Sequence, residues 1–524
     1  MLRQGSRFWD IVVSRRLLLY SFIVSFAVLA VCSKSSFLYP FNDWVDADCY
    51  FTVGKGMMQG KVVYRDLFEQ KGVLLYLLHG LAYLISHTTF IGVFFIEVAA
   101  GTAYLYYAAK TAALFVSEGW AYVIVPTLAA LVYSSAYFAH GDSAEELCLP
   151  LLMVGFYRLM RFFKEPDSLT PRVVAVCGVL AGCVLWIKYT MLGFWLAFMI
   201  AVFVALLLRK HVKSALMSCG WFLSGMLVAT LPWFVYFAAN GALGDWFHTY
   251  FTLNITAYAK AASTAEVFRN AWENFYANVS TDKVLTISVL LGLVGFVGTR
   301  RLISGVWAKI AFVLLPVLLV LGVYGGGRSY PYYFLIVAGM LMLPGMIALA
   351  RLISGIGGMA TRSRVGAKPT SPLPRWIAIS GCIVLLVASV LYAYSHYQYK
   401  YFMTAEKDML AQTQFAKIMN REENPTLLNY GFLDGGFYTA ADILPTEKYF
   451  CLLNVPLREM TQAQDAAVRN KAIQFVVMRS GSKGQSSGAA LLEQNYELVA
   501  QIHQEFEHRP FTYSLYRLRD SRGE

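Results

Sequence analysis

Residues 34–72, KSSFLYPFNDWVDADCYFTVGKGMMQGKVVYRDLFEQKG, form a charged loop between long apolar runs. Three carboxylates fall within six positions, at Asp43, Asp46 and Asp48. Carboxylates this close repel one another unless cations or hydroxyl donors compensate. The loop is therefore either a solvated loop of mixed charge or a reactive site beside a membrane, and both interpretations stay open.

The composition of the chain excludes a soluble enzyme. Of its 524 residues, 57% are hydrophobic and only 15% are charged, and the mean hydropathy is +0.51. Soluble domains carry roughly a quarter charged residues. The net charge of +12 comes from short basic clusters between apolar runs, which is typical of the cytoplasmic loops of membrane proteins and predicts no nucleic-acid partner. The eight cysteines are scattered without metal-ligand spacing, so we predict apolar packing roles and no metal site.

Eleven apolar runs predict membrane-spanning helices. A spanning helix needs about 20 mostly apolar residues. Runs that fit this requirement lie near 17–33, 91–110, 120–138, 147–160, 172–189, 191–208, 215–239, 283–299, 305–323, 331–350 and 376–395. The first run is interpreted as an uncleaved anchor, because no small-residue cleavage site closes it.

The apolar run at 73–86 is short for a span, and the distribution of charge predicts that it does not cross. Cytoplasmic segments of membrane proteins are enriched in Lys and Arg. If 73–86 stays on the outer side, the basic clusters between the spans fall on the inner side, and the inner segments then hold Arg3, Arg7, Arg15, Arg16, Lys110, Arg161, Lys164, Arg172, Arg209, Lys210, Lys213, Arg300, Arg301 and the basic stretch 351–375. We therefore predict a cytoplasmic N-terminus, an outer re-entrant or surface helix at 73–86, and an outward C-terminal tail.

The tail at 396–524 changes character and predicts a small α/β domain. Strand-like runs lie at 426–430, 475–478 and 511–518, and helix-like segments lie at 404–420 and 457–470. The predicted fold class is thus an all-α polytopic membrane protein of about eleven transmembrane helices and outer juxtamembrane helices, followed by a small extracytoplasmic α/β domain. Residues 1–395 form the membrane domain, with outer loops at 34–72 and 139–147.

The second of these loops carries a second acidic cluster. Asp142 and Ser143 are followed by Glu145 and Glu146, which lead directly into an apolar run. Ionisable groups at the edge of the membrane are costly and usually belong to a site. The same pattern also fits helix N-terminal capping, with acids in the first turn. Both interpretations remain open.

Two cations stand at predicted outer ends of spans. Lys188 lies near the end of the run at 172–189, where it meets the run at 191–208, and Arg328 follows three glycines and precedes Tyr330, Tyr332 and Tyr333. Cations beside tyrosines can bind a phosphate. They can equally anchor a helix at the membrane interface.

Several motifs resemble those of the GT-C glycosyltransferases, more narrowly the bacterial branch that is protein-mannosyltransferase-like or aminoarabinose-transferase-like. The matching segments are Trp44-Val45-Asp46, Gly54, Met58-Gln59-Gly60, YRDLFEQKG at 64–72 and AEELCLP at 144–150. The resemblance is one of motifs over 34–190 and of architecture over 191–395. The chain departs from the pattern at Val73, where relatives often have proline.

The resemblance implies a bacterial plasma-membrane enzyme that transfers a sugar from a polyprenyl-phosphate donor, with inversion, to a protein, lipid or glycan acceptor on the outer face. It implies that Asp46 is the general base, with Asp48 second and Asp43 third, and that Glu145 or Glu146 orients the acceptor or the first loop. Beside this likeness, the residues that we assign to the donor phosphate or substrate are Lys71, Lys188, Arg328, Tyr64, Asp66 and Tyr332. It implies no cofactor beyond the lipid-linked donor, and it leaves a divalent cation open because some members use one and others do not.

Two other functions fit a polytopic chain. A transporter or flippase for lipid-linked sugars would place ionisable residues near mid-membrane, where Glu97 is the main acid within a predicted span. A lipid-glycan polymerase or ligase would have basic residues in a later outer loop, but the loop at 240–282 is mixed in charge. The gathering of acids at one face favours the transferase.

Overall fold

The computed structural model describes residues 2–259, 263–362, 375–481 and 489–519, and it is predominantly helical. Each of the eleven apolar runs overlaps a helix, and a small sheet follows in the tail, which confirms the predicted helical membrane fold class, although fewer than eleven helical stretches among the described residues are long and apolar enough to span a bilayer. The helices before the tail are α1 Leu2–Cys32, α2 Val45–Met58, α3 Val73–Tyr83, α4 Ile91–Ala113, α5 Glu118–Tyr133, α6 Ala144–Lys164, α7 Pro171–Lys188, α8 Leu192–Leu208, α9 Val212–Ala239, α10 Leu243–Phe247, α11 Thr264–Thr281, α12 Lys283–Phe296, α13 Val306–Tyr324, α14 Leu335–Arg362 and α15 Arg375–His396. The tail contains α16 Ala411–Met419, β1 Leu427–Tyr430, α17 Phe437–Ala441, α18 Arg458–Arg469, β2 Phe475–Gly481, α19 Ala489–Asn495, β3 Tyr496–Phe506 and β4 Arg509–Leu518.

The lengths of the apolar helices identify an integral membrane protein. Within the described ranges, seven helical stretches are long and apolar enough to cross a bilayer, and there are eight if α11 and α12, which meet at 109°, form one span. One of the seven is Pro171–Leu208, in which a 3-10 turn at Tyr189–Met191 separates α7 from α8. Helix α3 has 11 residues and is therefore only about 16 Å long, whereas the hydrocarbon core of a bilayer is roughly 30 Å thick. The basic segment at 351–375 lies partly outside the described residues.

The chain divides into two compact units. The first, here called the membrane unit, comprises Met1–Cys32, Glu97–Leu231 and Ala261–Lys400. Its helices approach closely at small residues: a Cβ at Gly193 on α8 would lie 2.0 Å from the carbonyl oxygen of Leu318 on α13. Such contacts are typical of helix pairs in lipid, where packing of small residues replaces the hydrophobic driving force.

The second unit, here called the loop–tail unit, comprises Ser33–Ile96, Pro232–Lys260 and Tyr401–Glu524. It therefore joins the charged first loop to the C-terminal tail, although the two lie more than 300 positions apart in the sequence. It contains α2, α3, α10, a π-helical segment at His248–Tyr258, and the sheet and helices of the tail.

The tail forms a four-stranded sheet in the order β1-β2-β4-β3, as part of the predicted α/β arrangement. Strands β1 and β2 pair in parallel, with Leu427 opposite Phe475, and β4 pairs antiparallel with both β2 and β3. The core on the sheet includes Leu428, Val476 and Val468. Strands β1, β2 and β4 correspond to the three predicted strand runs, whereas β3 was not predicted because it is an edge strand in which polar residues are mostly exposed.

Helices α2 and α3 cross at a contact of glycines. A Cβ at Gly54 would lie 2.5 Å from the backbone nitrogen of Gly80 and 2.6 Å from the carbonyl oxygen of Tyr76. Because these are backbone atoms, neither can move aside without shifting the whole helix. The contact fixes the distance between the helix that carries Asp46 and the short apolar helix.

We expect Gly54→Ala to destabilise the protein by about 1–3 kcal/mol, because the added methyl group overpacks this crossing. Thermal unfolding in detergent measures the effect. The matched control is Gly244→Ala on α10, where a Cβ meets nothing within 4 Å and no loss is expected. Equal stability of the two variants would contradict the proposed tight crossing.

Asp434 is a fully buried carboxyl group of the loop–tail unit. Its Oδ2 accepts a hydrogen bond from the Thr52 hydroxyl at 2.6 Å, and its Oδ1 accepts from the Asn429 side chain at 2.8 Å and from the Gly436 nitrogen at 3.0 Å. Burial raises the pKa of Asp434 from 3.8 to about 6, although these hydrogen bonds and the charge of Lys55 oppose the rise. The carboxyl group therefore ionises in the folded protein only at a cost.

This cost predicts how stability depends on pH. Because the pKa is higher in the folded protein than in the unfolded chain, the stabilisation is fully present below about pH 4 and is lost as the pH rises through about 6. Relative to Asp434→Asn, the wild type should lose up to about 3 kcal/mol of unfolding free energy between pH 4 and pH 7. Denaturant titrations of both proteins across this range test the prediction, which parallel pH profiles would contradict.

Candidate active site

The three aspartates of the first loop lie in or just before helix α2, and they differ in their surroundings. Asp43 precedes the helix and forms a buried ion pair with Lys34, at 2.6 Å between Nζ and Oδ1. Asp46 and Asp48 lie in the first turn of α2, where negative charge suits the helix dipole. Asp48 is fully buried, whereas Asp46 is partly exposed and accepts a hydrogen bond from the Tyr50 hydroxyl at 3.4 Å. Asp46 is thus the one of these three aspartates whose side chain is partly exposed.

Asp48 packs against a turn of the tail. A Cβ at Gly436 would lie 2.9 Å from Oδ1 of Asp48 and 2.5 Å from the Phe41 ring. Gly436 has φ +83°, a left-handed conformation that glycine adopts without strain. The tail thereby covers the first turn of α2 on the side that bears Asp48.

Lys71 lies next to a buried glutamate and an aromatic ring. Its Nζ is 3.9 Å from Oε1 of Glu69 and 5.5 Å from the centre of the Tyr50 ring. Oε2 of Glu69 accepts hydrogen bonds from the Lys71 backbone nitrogen, at 2.8 Å, and from the Tyr76 hydroxyl. Tyr50 therefore contacts Asp46 through its hydroxyl and Lys71 through its ring face, which brings a carboxylate and a cation to one side chain.

The charges of Asp46 and Lys71 both affect the pKa of the buried Glu69. Burial raises the pKa of Glu69, the negative charge of Asp46 adds to the rise, and Lys71 opposes it. The interaction with Asp46 places this glutamate in the same electrostatic cluster as the candidate base. Sequence reasoning noted Glu69 within the loop but did not assign it a role, and it missed Tyr50 and Tyr76, because tyrosines in an apolar context carry no local signal of a polar contact.

Tyr64 and Asp66 shape the loop that carries Lys71. Tyr64 is buried with φ 69°, and its hydroxyl donates to the carbonyl oxygen of Lys71 at 2.6 Å. Asp66 accepts from the Val62 nitrogen at 2.7 Å and pairs with the Arg65 guanidinium, whose hydrogen bond holds the pKa of Asp66 below its usual range. Both side chains thus hold the conformation of this loop, and their contact with substrate stays a prediction.

The acids of the second loop belong to the membrane unit, where Glu146 has a capping role. Helix α6 begins at Ala144, and the Ser143 hydroxyl accepts from the Glu146 nitrogen at 3.1 Å. The Asp142 nitrogen, at a residue with φ 60°, donates to Oε2 of Glu146 at 2.8 Å and to Oε1 of Glu97 at 2.9 Å. Asp142 in the loop, Glu97 on α4 and Glu146 on α6 therefore meet at one backbone nitrogen. The sequence did not indicate that Glu97 belongs to this group.

Glu145 points to a different partner. It forms an ion pair with Lys188, and both side chains are at most 9% exposed. The Nζ of Lys188 also lies 3.5 Å from the centre of the Tyr333 ring and 5.8 Å from that of Tyr332. The membrane unit thus brings together Glu145, Lys188 and Tyr332 from three separate parts of the sequence. Arg328 is partly exposed and lies four residues before Tyr332.

The described ranges contain no group of three or more His, Cys, Asp or Glu side chains that could hold a metal ion. The candidate site residues that the structure describes offer acid–base and electrostatic chemistry, from a partly exposed carboxylate on α2 and from lysine and arginine cations.

Two comparisons of the sequence give no relative: no protein-family model matches it, and no curated protein is significantly similar to it. The fold, however, is similar to that of two crystal structures of ArnT from Cupriavidus metallidurans. The one bound to undecaprenyl phosphate has a TM-score of 0.56 and the one in the apo state has 0.58. In both cases 13% of residues are identical, over 97% of this chain and 98% of that chain. The likeness spans the whole protein and confirms the predicted GT-C fold.

Proposed function

We propose that this protein is a membrane glycosyltransferase that moves a sugar from a polyprenyl-phosphate-linked donor to an acceptor on the extracytoplasmic face. The observation that carries the proposal is that Asp46, a candidate base, and Lys71, a cation, both contact Tyr50, Asp46 at its hydroxyl and Lys71 at its ring face. The GT-C fold supports it, since a structure of that fold binds undecaprenyl phosphate. Fold alone does not imply function, so the argument depends on the site.

The chemistry of transfer requires one base and a stabilised leaving group. Asp46 accepts the proton of the acceptor hydroxyl as its oxygen bonds to the anomeric carbon. The bond from that carbon to the phosphate oxygen breaks on the opposite side, and its electron pair leaves with the polyprenyl phosphate. This single displacement inverts the anomeric centre, as in inverting glycosidases, which use a carboxylate base without a covalent intermediate. A cation such as Lys71 stabilises the leaving phosphate, so no general acid is needed.

The other candidate residues have supporting roles in this proposal. Tyr64 and Asp66 hold the loop that positions Lys71, and Asp48 anchors the first turn of α2 against the tail. Arg328 is the second candidate for the donor phosphate, beside Tyr332. Because the charge of Lys188 is compensated by Glu145, we assign this ion pair to positioning the second loop. Glu146 fixes the start of α6.

The orientation in the membrane follows from the distribution of basic residues. We place the N-terminus in the cytoplasm, and the first loop and the C-terminal tail outside, because cytoplasmic loops favour Lys and Arg.

Release of polyprenyl phosphate tests the proposed function. Purified protein in nanodiscs is given undecaprenyl-phosphate sugars together with cell-envelope acceptors, and the lipid products are separated by chromatography. We expect release that depends on acceptor. Movement of intact sugar-lipid between the leaflets of proteoliposomes, without cleavage, would instead identify a flippase.

Lys71→Met is expected to lower the turnover number by about 10²-fold, because it removes a charge that stabilises the leaving phosphate in the transition state. Lys61→Met, in the same loop, is the matched control and should retain turnover. Steady-state assays with the lipid donor give the turnover number and the KM separately. Normal turnover of Lys71→Met would remove Lys71 from the proposed phosphate site.

A further inference from the structure

On one face of α2, every third residue from Cys49 to Lys55 contacts the tail. The Sγ of Cys49 lies 3.7 Å from the Sγ of Cys451, and the Thr52 hydroxyl donates to Asp434. The Nζ of Lys55 donates to Oδ1 of Asp442 and to the carbonyl oxygen of Tyr438, both at 3.1 Å. Residues three apart lie along one side of a helix, so these contacts form a continuous attachment.

We propose that Cys49 and Cys451 are a redox pair that a disulfide oxidant converts to a disulfide bond, which locks α2 to the C-terminal tail. These two are the only cysteines of the loop–tail unit in the sequence, whereas the other six belong to the membrane unit. Their contact joins positions 402 residues apart. The bond would hold in place the helix that also carries Asp46.

The two sulfur atoms are already in contact. Two sulfur atoms at 3.7 Å must approach to about 2.05 Å, a change that side-chain rotation can supply when the backbone is already held in place. The backbone is held here by the flanking contacts of Thr52 and Lys55 on the same helix. The proposed extracytoplasmic location also suits the bond, because disulfides persist in oxidising compartments.

The reaction balances with an external disulfide as the oxidant. One cysteine thiolate attacks this disulfide, forms a mixed disulfide and releases one thiolate. The second cysteine then attacks the protein sulfur of the mixed disulfide, forms the Cys49–Cys451 bond and releases the second thiolate. Two electrons pass from the protein to the oxidant, and two protons leave the cysteines.

The burial of both thiols determines when the bond can form. Cys49 and Cys451 are 1% and 2% exposed, and burial raises the pKa of each thiol. Because the thiolate is the reactive form, exchange is slow while α2 is attached to the tail. The bond therefore forms before attachment is complete or during a local opening, and once formed it is shielded from reductants.

The test uses the full-length protein in its native membranes, as isolated and after prolonged equilibration in glutathione buffers of increasing oxidised fraction. Samples are quenched with acid, alkylated with N-ethylmaleimide and digested without reduction, and the peptides are identified by mass spectrometry. We expect a linked peptide of Cys49 and Cys451 that increases with the oxidised fraction and disappears with dithiothreitol after denaturation. Cys451→Ser should abolish it, and the control Cys148→Ser should not change it.

Recovery of Cys49 and Cys451 as N-ethylmaleimide adducts under every condition, both as isolated and after equilibration, would overturn the proposal and leave two packed thiols. A denatured sample in the same buffers shows that the oxidant is active, since its cysteines then form mixed disulfides. The readout does not use catalysis, so a negative result leaves the proposed transferase untouched, and an inactive transferase leaves the redox pair untouched.

Discussion

Asp46→Asn is expected to lower glycosyl transfer by about 10²- to 10⁴-fold while the protein still folds, because the amide cannot accept the proton of the acceptor hydroxyl. The structure supports this choice among the three aspartates of the first loop. Asp43 is engaged in a buried ion pair with Lys34, and Asp48 is fully buried against Gly436. Asp46 is partly exposed at the start of α2 and lies in the same electrostatic cluster as Glu69.

The two neighbouring aspartates provide the controls. Asp43→Asn removes the carboxylate that pairs with the buried Lys34 and should reduce thermal stability more than the rate of transfer. Asp48→Asn should weaken the packing of the tail on α2, and it should therefore also reduce thermal stability more than the rate of transfer. Transfer rates and melting temperatures of the three variants are compared at equal protein concentration. Full turnover by Asp46→Asn would remove the assignment of the base.

The second large effect is expected at the ion pair of the membrane unit. Lys188→Met should destabilise the protein by about 3–5 kcal/mol, because it leaves the charge of Glu145 buried without a partner. The loss is a stability effect that thermal unfolding in detergent detects without any substrate. The same substitution would also lower the rate of glycosyl transfer if the ion pair positions the second loop as proposed.

The double variant Lys188→Met with Glu145→Gln distinguishes the cost of the unpaired Glu145 charge from the loss of the contact between Lys188 and the Tyr333 ring. If the buried charge causes the loss, the double variant should recover most of the stability of the wild type, because neutral side chains of similar size are cheaper to bury. A double variant as unstable as Lys188→Met would show instead that the contact with the aromatic ring dominates.

The helical membrane fold was predictable because its signal is local. A bilayer requires long apolar helices, so each run of apolar residues predicts its own structure without reference to the rest of the chain. The short run at 73–86 follows the same logic, and the structure gives it a helix of 11 residues. Three strands of the tail were visible for a similar reason, whereas the exposed edge strand β3 was not.

The details of the site were less predictable, because they depend on contacts between distant residues. Asp46 could be selected from a local motif. The attachment of α2 to the tail through Thr52 and Asp434 joins positions 382 residues apart, and no pattern within either segment indicates it. The same applies to Cys49 and Cys451, which as scattered cysteines predicted only apolar packing.

In the second loop the structure gives the two consecutive acids different partners. The consecutive Glu145 and Glu146 fitted both helix capping and a functional site. In the structure Glu146 accepts from the Asp142 backbone nitrogen at the start of α6, whereas Glu145 reaches Lys188. Adjacent residues on a helix point about 100° apart, so the two acids serve different partners.

The most direct test of single displacement by Asp46 is the anomeric configuration of the product, determined by NMR from a polyprenyl-phosphate sugar of known configuration. We predict an inverted product and one polyprenyl phosphate released for each sugar transferred, with both lost in Asp46→Asn. A product that retains the configuration of the donor would contradict single displacement. Sugar-lipid that is moved across the bilayer but never cleaved would contradict glycosyl transfer itself.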